Sequence, residues 1–321
     1  MFLSIGIAIY NEEKSIEKCL RSLKDAIVGF DYRLYLCFNG CTDDSEQIVK
    51  HILQSENVMH YQLLYSKKGK VLAQNVIINE IDRAGHSGDP IVFIDADVEL
   101  HPECIWNLYN ELFRVNELLV VGALTKPIPR KRKNLWYYVL NIRNLYPLSE
   151  VAKYDVQEYK WYCTQYPQRC ISPKNEMKNK IYFHGRCFML KYARLYQVPL
   201  TGEVADDTYL ANNIHYNFGP GVIRNIFSAV VYYIAYDDPV THWKTYWRVY
   251  NDKIHIDKVY QQFSEIRKKE KTVLNSEYIA TLPIRIQLCF WAYRGFIKIE
   301  KLSYRLLPQK SIEKIWIYKE K

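Results

Sequence analysis

Residues 3–9, Leu-Ser-Ile-Gly-Ile-Ala-Ile, place a branched apolar residue at every second position, the alternation of a central strand. The pattern breaks at Tyr10-Asn11-Glu12-Glu13, and a 3.6-residue period takes over. A helix is predicted over 15–23, with Ile16, Cys19, Leu20 and Leu23 on one face. Strand two is expected at 33–38, ending in the turn Asn39-Gly40-Cys41-Thr42-Asp43-Asp44. Strand three is expected at 58–65. Lys67-Lys68-Gly69-Lys70 follows it, then a helix through Val71, Ala73, Asn75 and Ile78. Asp89-Pro90 introduces Ile91-Val92-Phe93-Ile94, a β-branched and aromatic run that reads as a buried strand. Alternating strands and helices over the first hundred residues predict an α/β fold with a mostly parallel central sheet flanked by helices.

The later pattern is less regular. A helix is expected at 103–115 and a strand at 118–124, and Pro127 to Lys133 interrupts regular structure with four basic residues. Residues 134–180 are aromatic and polar with weak periodicity and read as an insertion. A strand follows at 225–233. From about 255 the chain is helical and basic, and the charges at 267–271 read as a solvated face. Residues 284–307 mix Ile, Leu, Phe, Trp and Tyr with Arg285, Arg294, Lys298, Lys301 and Arg305. Such a segment can lie in a membrane interface, or pack its apolar side on a core and send its cations outward.

At 321 residues the chain suits one large α/β domain with an appendage. The division expected is a domain over 1–250, in halves 1–125 and 126–250, and a basic helical C-terminal region over 251–321. Eight cysteines without a C-x-x-C or zinc spacing suit a reducing compartment, each as a small buried hydrophobe. No apolar run approaches the roughly 20 residues that span a bilayer, and the chain opens directly on a strand. The expected location is therefore cytoplasmic, or peripheral on the cytosolic face of a membrane. A net charge of +9 implies an acidic partner such as nucleotide phosphate or anionic lipid, and no nucleic-acid motif supports the remaining alternative.

The strand at 91–94 ends in Asp95-Ala96-Asp97. Carboxyl ends of strands in an open α/β sheet face the ligand crevice. Side chains two apart on an extended segment share a face. Two carboxylates there attract a hard divalent ion, Mg2+ or Mn2+, which takes one or two protein carboxylates and completes its shell with phosphate oxygens. A strand-end pair capping the next element is the bland alternative, as a helix cap is for Asn11 and Glu12.

Four segments together carry a resemblance: residues 7–13 after strand one, Asn39 to Asp44 after strand two, Gly69 to Asn75 after strand three, and Asp95-Ala96-Asp97 after strand four. In that order they resemble the inverting glycosyltransferase family 2, with its Rossmann-like GT-A fold, and the resemblance runs to about residue 250. It implies a metal-dependent inverting transfer of one sugar from a nucleotide-diphosphate donor, UDP by default, to an acceptor hydroxyl in cell-surface glycan or glycolipid synthesis. The acceptor would be a carbohydrate or a lipid-linked molecule.

By that resemblance Tyr10, Asn11 and Glu12 line the nucleotide pocket, and Lys70 and Asn75 face the crevice. Lys67 and Lys68 read as a solvated loop. Asp95 and Ala96 contact the nucleotide, and Asp97 holds Mn2+ or Mg2+. Gly185 lies under the donor sugar, and residues 134–180 cover the acceptor side. Asp207 is the catalytic base, with Glu203 as fallback, and Asp206 holds the loop or raises the Asp207 pKa. His242 and Arg248 are candidates for metal and phosphate contact. Phe38 stands where the family often has a base-reading acid, which leaves Asn39 and Asp43 to take over. Trp247-Arg248 departs from the Gln-x-x-Arg-Trp of processive synthases. The rivals are a sugar nucleotidyltransferase, disfavoured by Tyr10-Asn11-Glu12, and a catalytically silent nucleotide-sugar-binding or scaffold protein, disfavoured by the acids at 97 and 207.

Overall fold

The computed structural model describes residues 2–130, 133–146, 164, 183–199, 206–219, 221–263 and 276–306. Within the last helices the side chains of residues 248, 251–253, 255, 257, 276–278 and 305 are outside that description. Two compact units form, Met1–Thr125 with Asn179–Tyr233, and Lys126–Lys178 with Ile234–Lys321. The chain thus crosses between units three times, after residues 125, 178 and 233. Most of the expected insertion at 134–180 lies outside the described residues, as do Cys163, Cys170 and the charge run at 267–271.

The first unit begins with β1 (Phe2–Ile9), α1 (Ile16–Ala26), β2 (Asp31–Asn39), α2 (Ser45–Ser55), β3 (Tyr61–Ser66), α3 (Lys70–Arg83) and β4 (Ile91–Asp95). It continues through β5 (Val98–Leu100), α4 (Cys104–Arg114) and most of β6 (Val120–Ile128). β7 (Cys187–Leu190), α7 (Asp206–Phe218) and β8 (Ile223–Ile234) follow the crossing, with α5 (Leu135–Leu140) and α6 (Ile142–Leu145) in the other unit between β6 and β7.

One eight-stranded sheet runs in the order β3-β2-β1-β4-β7-β6-β8-β5. β3, β2, β1 and β4 are parallel neighbours. β7 is antiparallel to both β4 and β6, and β5 is antiparallel to β8. The parallel half is the one that alternation predicts, and the other half is mixed. Leu3, Ile5, Ile7 and Ile9 are fully buried in one core with Ile16, Cys19, Leu20 and Leu23 of α1 and Ile105, Leu108 and Leu112 of α4. Burying each such side chain contributes roughly 1.5–3 kcal/mol. α3 packs on β1, β2 and β3.

Strand order 3-2-1-4 reverses direction of growth between β1 and β4, the point where an open sheet leaves a crevice at its carboxyl ends. Two boundaries differ from the sequence pattern. Val58 closes α2 instead of opening β3: its N–H bonds Leu53 O at 3.0 Å while Asn57 takes φ 50°, a left-handed helix cap. β6 runs through Pro127 to Ile128, beyond the expected end at 124.

The second unit holds α5, α6, α8 (Pro239–Val259), α9 (Ser276–Thr281) and α10 (Ile284–Leu306). Asp238 caps α8, its Oδ2 accepting from Thr241 N at 2.6 Å, with Pro239 in the first turn. Val139 and Ile142 pack with Ile279, Ile286, Cys289 and Phe290. Among the described residues, no helix is long and apolar enough to cross a membrane.

Candidate active site

The loops at the carboxyl ends of β1 to β4 are clasped to one another. Asn11 is in the left-handed region, φ 51°. It does not cap α1; its Oδ1 accepts from Thr42 N at 2.8 Å and its Nδ2 donates to Thr42 Oγ1 at 3.1 Å. Glu12 is buried, with Ser15 Oγ donating to its Oε2 at 2.5 Å and Ser45 Oγ accepting from its N–H at 2.7 Å. Asn39 is buried as well. Its Nδ2 donates to Ile9 O at 2.9 Å, and its Oδ1 receives the Gly69 N–H at 3.4 Å.

Asp43 accepts from Glu13 N at 3.1 Å and from Ser45 N and Oγ at 3.1 and 2.6 Å. Burial pushes the Asp43 carboxyl up, but these donors hold it below the usual range. Asn39 and Asp43 are therefore bound up in fastening loops. Phe38, only 2% exposed, packs 5.7 Å from the Tyr65 ring in the core. Lys68, expected in a solvated loop, sets its ammonium 4.5 Å from the centroid of the Tyr10 ring.

β4 ends at Asp95, and Ala96-Asp97 form a turn into β5, so the pair does not sit on a continuous extended segment as its spacing suggests. Asp95 N donates to Arg186 O at 2.8 Å, which ties the strand end to the segment entering β7. Lys70, the first residue of α3, reaches Asp95 Oδ1 at 2.7 Å, Asp206 Oδ2 at 3.3 Å and Gly185 O at 3.4 Å. Burial acts to lower the Lys70 pKa, but Asp206 and Asp95, with Asp207, outweigh it and hold the ammonium above its ordinary range. Asp95 is raised by burial, relieved by Lys70 and raised again by Asp97. The thiol of Cys19, 3.7 Å from Asp95 O, is pushed up by burial and then by Asp97, Glu12 and Asp95. It is a buried, inert thiol.

Asp206 and Asp207 open α7. Asp206 is 4% exposed and accepts from Gln74 Nε2 at 2.9 Å, and Tyr196 Oη donates to Gln74 Oε1 at 2.7 Å. A chain Tyr196–Gln74–Asp206–Lys70–Asp95, buried at its first three members, thus joins α3, α7 and β4. Asp207 Oδ2 accepts from Gly185 N at 2.9 Å, and its Oδ1 from Thr208 N at 2.6 Å. A side chain at 185 would place its Cβ 3.0 Å from Asp207 Oδ2, so any larger residue requires the carboxylate to give by a few tenths of an ångström. Arg186 stacks its guanidinium 3.8 Å from the Tyr233 ring centroid and meets His184 Nε2 at 2.8 Å.

The fold therefore brings Lys70, Asp95, Gly185, Asp206 and Asp207 together. Asn75 is turned to the backbone instead, its Nδ2 donating to Val71 O at 2.9 Å and Val198 O at 3.2 Å. Ala96 is buried. His242 belongs to the second unit, where its Nδ1 lies 2.8 Å from Glu300 Oε1. Glu203 and the Arg248 side chain are outside the described residues. Gln74 and Tyr196 escaped the sequence reading, and Lys68 was read only as part of a solvated loop. Gln74 sits one turn beyond Lys70 within the motif, and that spacing could have flagged it.

A mixed α/β central sheet flanked by helices is the architecture of the GT-A fold. The description Glycosyl transferase family 2 matches residues 4–187, more than half the chain, and this protein belongs to that family. It is a glycosyltransferase. Among solved structures it is similar to the mannosyltransferase PcManGT from Pyrobaculum calidifontis in complex with GDP-Man and Mn2+. That match has TM-score 0.55 and 15% identity and covers 97% of this chain and 82% of that one. Glucosyl-3-phosphoglycerate synthase from Mycobacterium tuberculosis, in complex with Mn2+, UDP-Glc and phosphoglyceric acid, matches with TM-score 0.44 and 17% identity. It covers 75% of this chain and 73% of that one. A search of curated proteins by sequence finds no match.

Proposed function

We propose that this glycosyltransferase moves one sugar, with inversion, from a nucleotide-diphosphate donor to a hydroxyl of a carbohydrate or lipid-linked acceptor. UDP is the default base. The observation that carries the reading is the convergence on Lys70 of Asp95 from the end of β4 and Asp206 from the start of α7. Gly185 N–H fixes Asp207 beside them, which supports the reading of Asp95 as the donor-side and Asp207 as the acceptor-side carboxylate.

Among the described residues no three acidic, histidine or cysteine side chains form an all-protein metal cage. The donors offered at the β4–β5 turn are hard carboxylate oxygens. These suit Mg2+ or Mn2+, which completes its coordination with diphosphate and water. Asp97 is the proposed ligand, with Asp95 at the nucleotide. A bound cation supplies Lewis-acid stabilisation of the departing diphosphate.

Lys70 positions Asp95 and adds positive charge where the diphosphate leaves. Tyr10 offers a ring for the base, and Lys68 a cation beside it. Asp207, oriented by two backbone N–H groups, takes the proton of the attacking hydroxyl, a role that contributes roughly 10²–10⁴-fold.

A thermal-shift panel of UDP, GDP, CDP, dTDP and several UDP-sugars, with and without Mn2+, tests the proposal. The expected result is a metal-dependent rise in midpoint with one nucleotide. It is lost in Asp97→Ala and kept in Asp207→Asn, and the latter lacks transfer. No shift with any nucleotide would overturn the donor reading.

A further inference from the structure

Helix α10 is apolar on two opposite sides. One side is buried: Ile286, Cys289, Phe290 and Tyr304 face the interior of the second unit. Trp243 and Trp247 of α8 donate to Ser303 Oγ at 2.9 and 3.2 Å, and His242 meets Glu300. The other side is open. Ile284, Leu288, Trp291, Ile299, Leu302 and Leu306 are each more than half exposed.

With Gly295 in the gap, the steps between them are three or four residues throughout. At about 100° per residue they fall within a stripe roughly 80° wide along the helix. Single exposed apolar residues need no explanation, but a continuous stripe does.

The charges beside the stripe indicate what it meets. Arg285 flanks one edge, and Arg294, Lys298 and Lys301 flank the other, all exposed. The Arg294 guanidinium lies 5.2 Å from the centroid of the Trp291 ring, a cation held against an amphipathic aromatic. Glu300 is the helix's sole carboxylate; it is turned inward, 1% exposed, and paired with His242. Among the described side chains, every exposed charge on α10 is therefore positive.

We propose that the outward face of α10 docks on an anionic lipid bilayer, with the stripe at the level of the acyl chains and the flanking cations at the headgroups. A helix that fulfils this role is long, two-faced and basic at its margins, and does not span. α10 is 23 residues, and no helix among the described residues is apolar enough to cross. A second copy of the chain is a poorer occupant, because stripe-to-stripe docking sets these cations against their own kind. The inference needs no nucleotide donor and stands apart from the proposed transfer.

The experiment is co-sedimentation of the full chain with large unilamellar vesicles of phosphatidylcholine, with or without phosphatidylglycerol. Two variants accompany the native chain: Leu288→Glu/Trp291→Glu/Leu302→Glu, and Arg294→Glu/Lys298→Glu/Lys301→Glu. All six positions are exposed, so circular dichroism and the unfolding midpoint stay close to native. The native chain is expected to bind the anionic vesicles, to bind neutral ones weakly, and to release as salt rises. Each basic residue near such a surface contributes about 1 kcal/mol. Removing three positive charges should therefore lower partitioning on the order of 100-fold or more, and the apolar variant should lose binding. Absence of native binding to anionic vesicles overturns the proposal, as does undiminished binding by either variant. A native dimer that the apolar variant abolishes assigns the stripe to a second copy instead.

Discussion

Replacing Lys70 with methionine keeps the length of the side chain and removes the charge that three elements share. Its ammonium lies 2.7 Å from Asp95 Oδ1 and 3.3 Å from Asp206 Oδ2. At an effective dielectric of about 20 these distances correspond to gross attractions of about 6 and about 5 kcal/mol. The net loss is smaller, because the variant also escapes the cost of burying an ammonium. Removing one partner of a buried pair costs about 3–5 kcal/mol. With 26% of the Lys70 side chain exposed, the low end, about 3 kcal/mol, applies. For a unit of this size that lowers the unfolding midpoint by about 6–12 °C.

The pH dependence gives the sharper test. The raised pKa of Lys70 contributes stability that is lost only when pH rises into the strongly alkaline range, so it is constant between pH 5 and 7.5. Asp95 is already raised by burial, and without Lys70 it rises further. A carboxyl whose folded pKa lies above its unfolded one loses stability as pH rises through the folded value, and regains it on acidification. In chelator, so that no cation replaces the ammonium, the gap between native and Lys70→Met midpoints should narrow from pH 7.5 to pH 5. A gap that stays constant or widens, or a cost below about 1 kcal/mol, would refute the assignment of Lys70 as the charge that ties β4 to α7.

Gly185→Ala should lower turnover by about 10–100-fold with a small change in donor KM. The added Cβ stands 3.0 Å from Asp207 Oδ2, and such overpacking costs about 1–3 kcal/mol; steady-state kinetics checks the split. Gln74→Leu leaves the Tyr196 hydroxyl and Asp206 each short of a buried partner, and urea unfolding should show a loss of about 2–4 kcal/mol. Phe38→Asp restores the acid common in the family, yet it should not change base preference. The position is in the core, so the variant should lose about 4 kcal/mol or more in thermal unfolding with the nucleotide ranking unaltered.

The parallel half of the sheet was legible because its signals are local. Alternation in residues 3–9 and the run at 91–94 depend only on a two-residue period, and the α1 face depends on 3.6. The positions of Asp95, Lys70 and Asp207 were legible for a similar reason, since each stands beside a strand end or helix start within a short recognisable segment. Boundaries failed where a cap competed with a strand, as at Val58, whose N–H closes α2. Asn11, Asn39 and Asp43 were legible as loop residues, but nothing in their order reveals that they hydrogen-bond loops more than 25 residues away.

What the sequence determined by itself is the class of element at each place and the residue types at the sheet's carboxyl edge, because backbone sterics and side-chain periodicity act over a few residues. The tertiary structure decided which of those residues meet. Gln74 and Tyr196 joined the acidic cluster, the Asn75 amide bonded backbone carbonyls, Phe38 was buried, and Lys68 came over Tyr10. It also decided the two faces of α10, since α5, α6 and α8 pack on one apolar side and leave the other exposed. Such outcomes follow from chain crossings after 125, 178 and 233 and from side chains as far as 132 and 150 positions apart that share one hydrogen bond, and no local pattern encodes distances of that length.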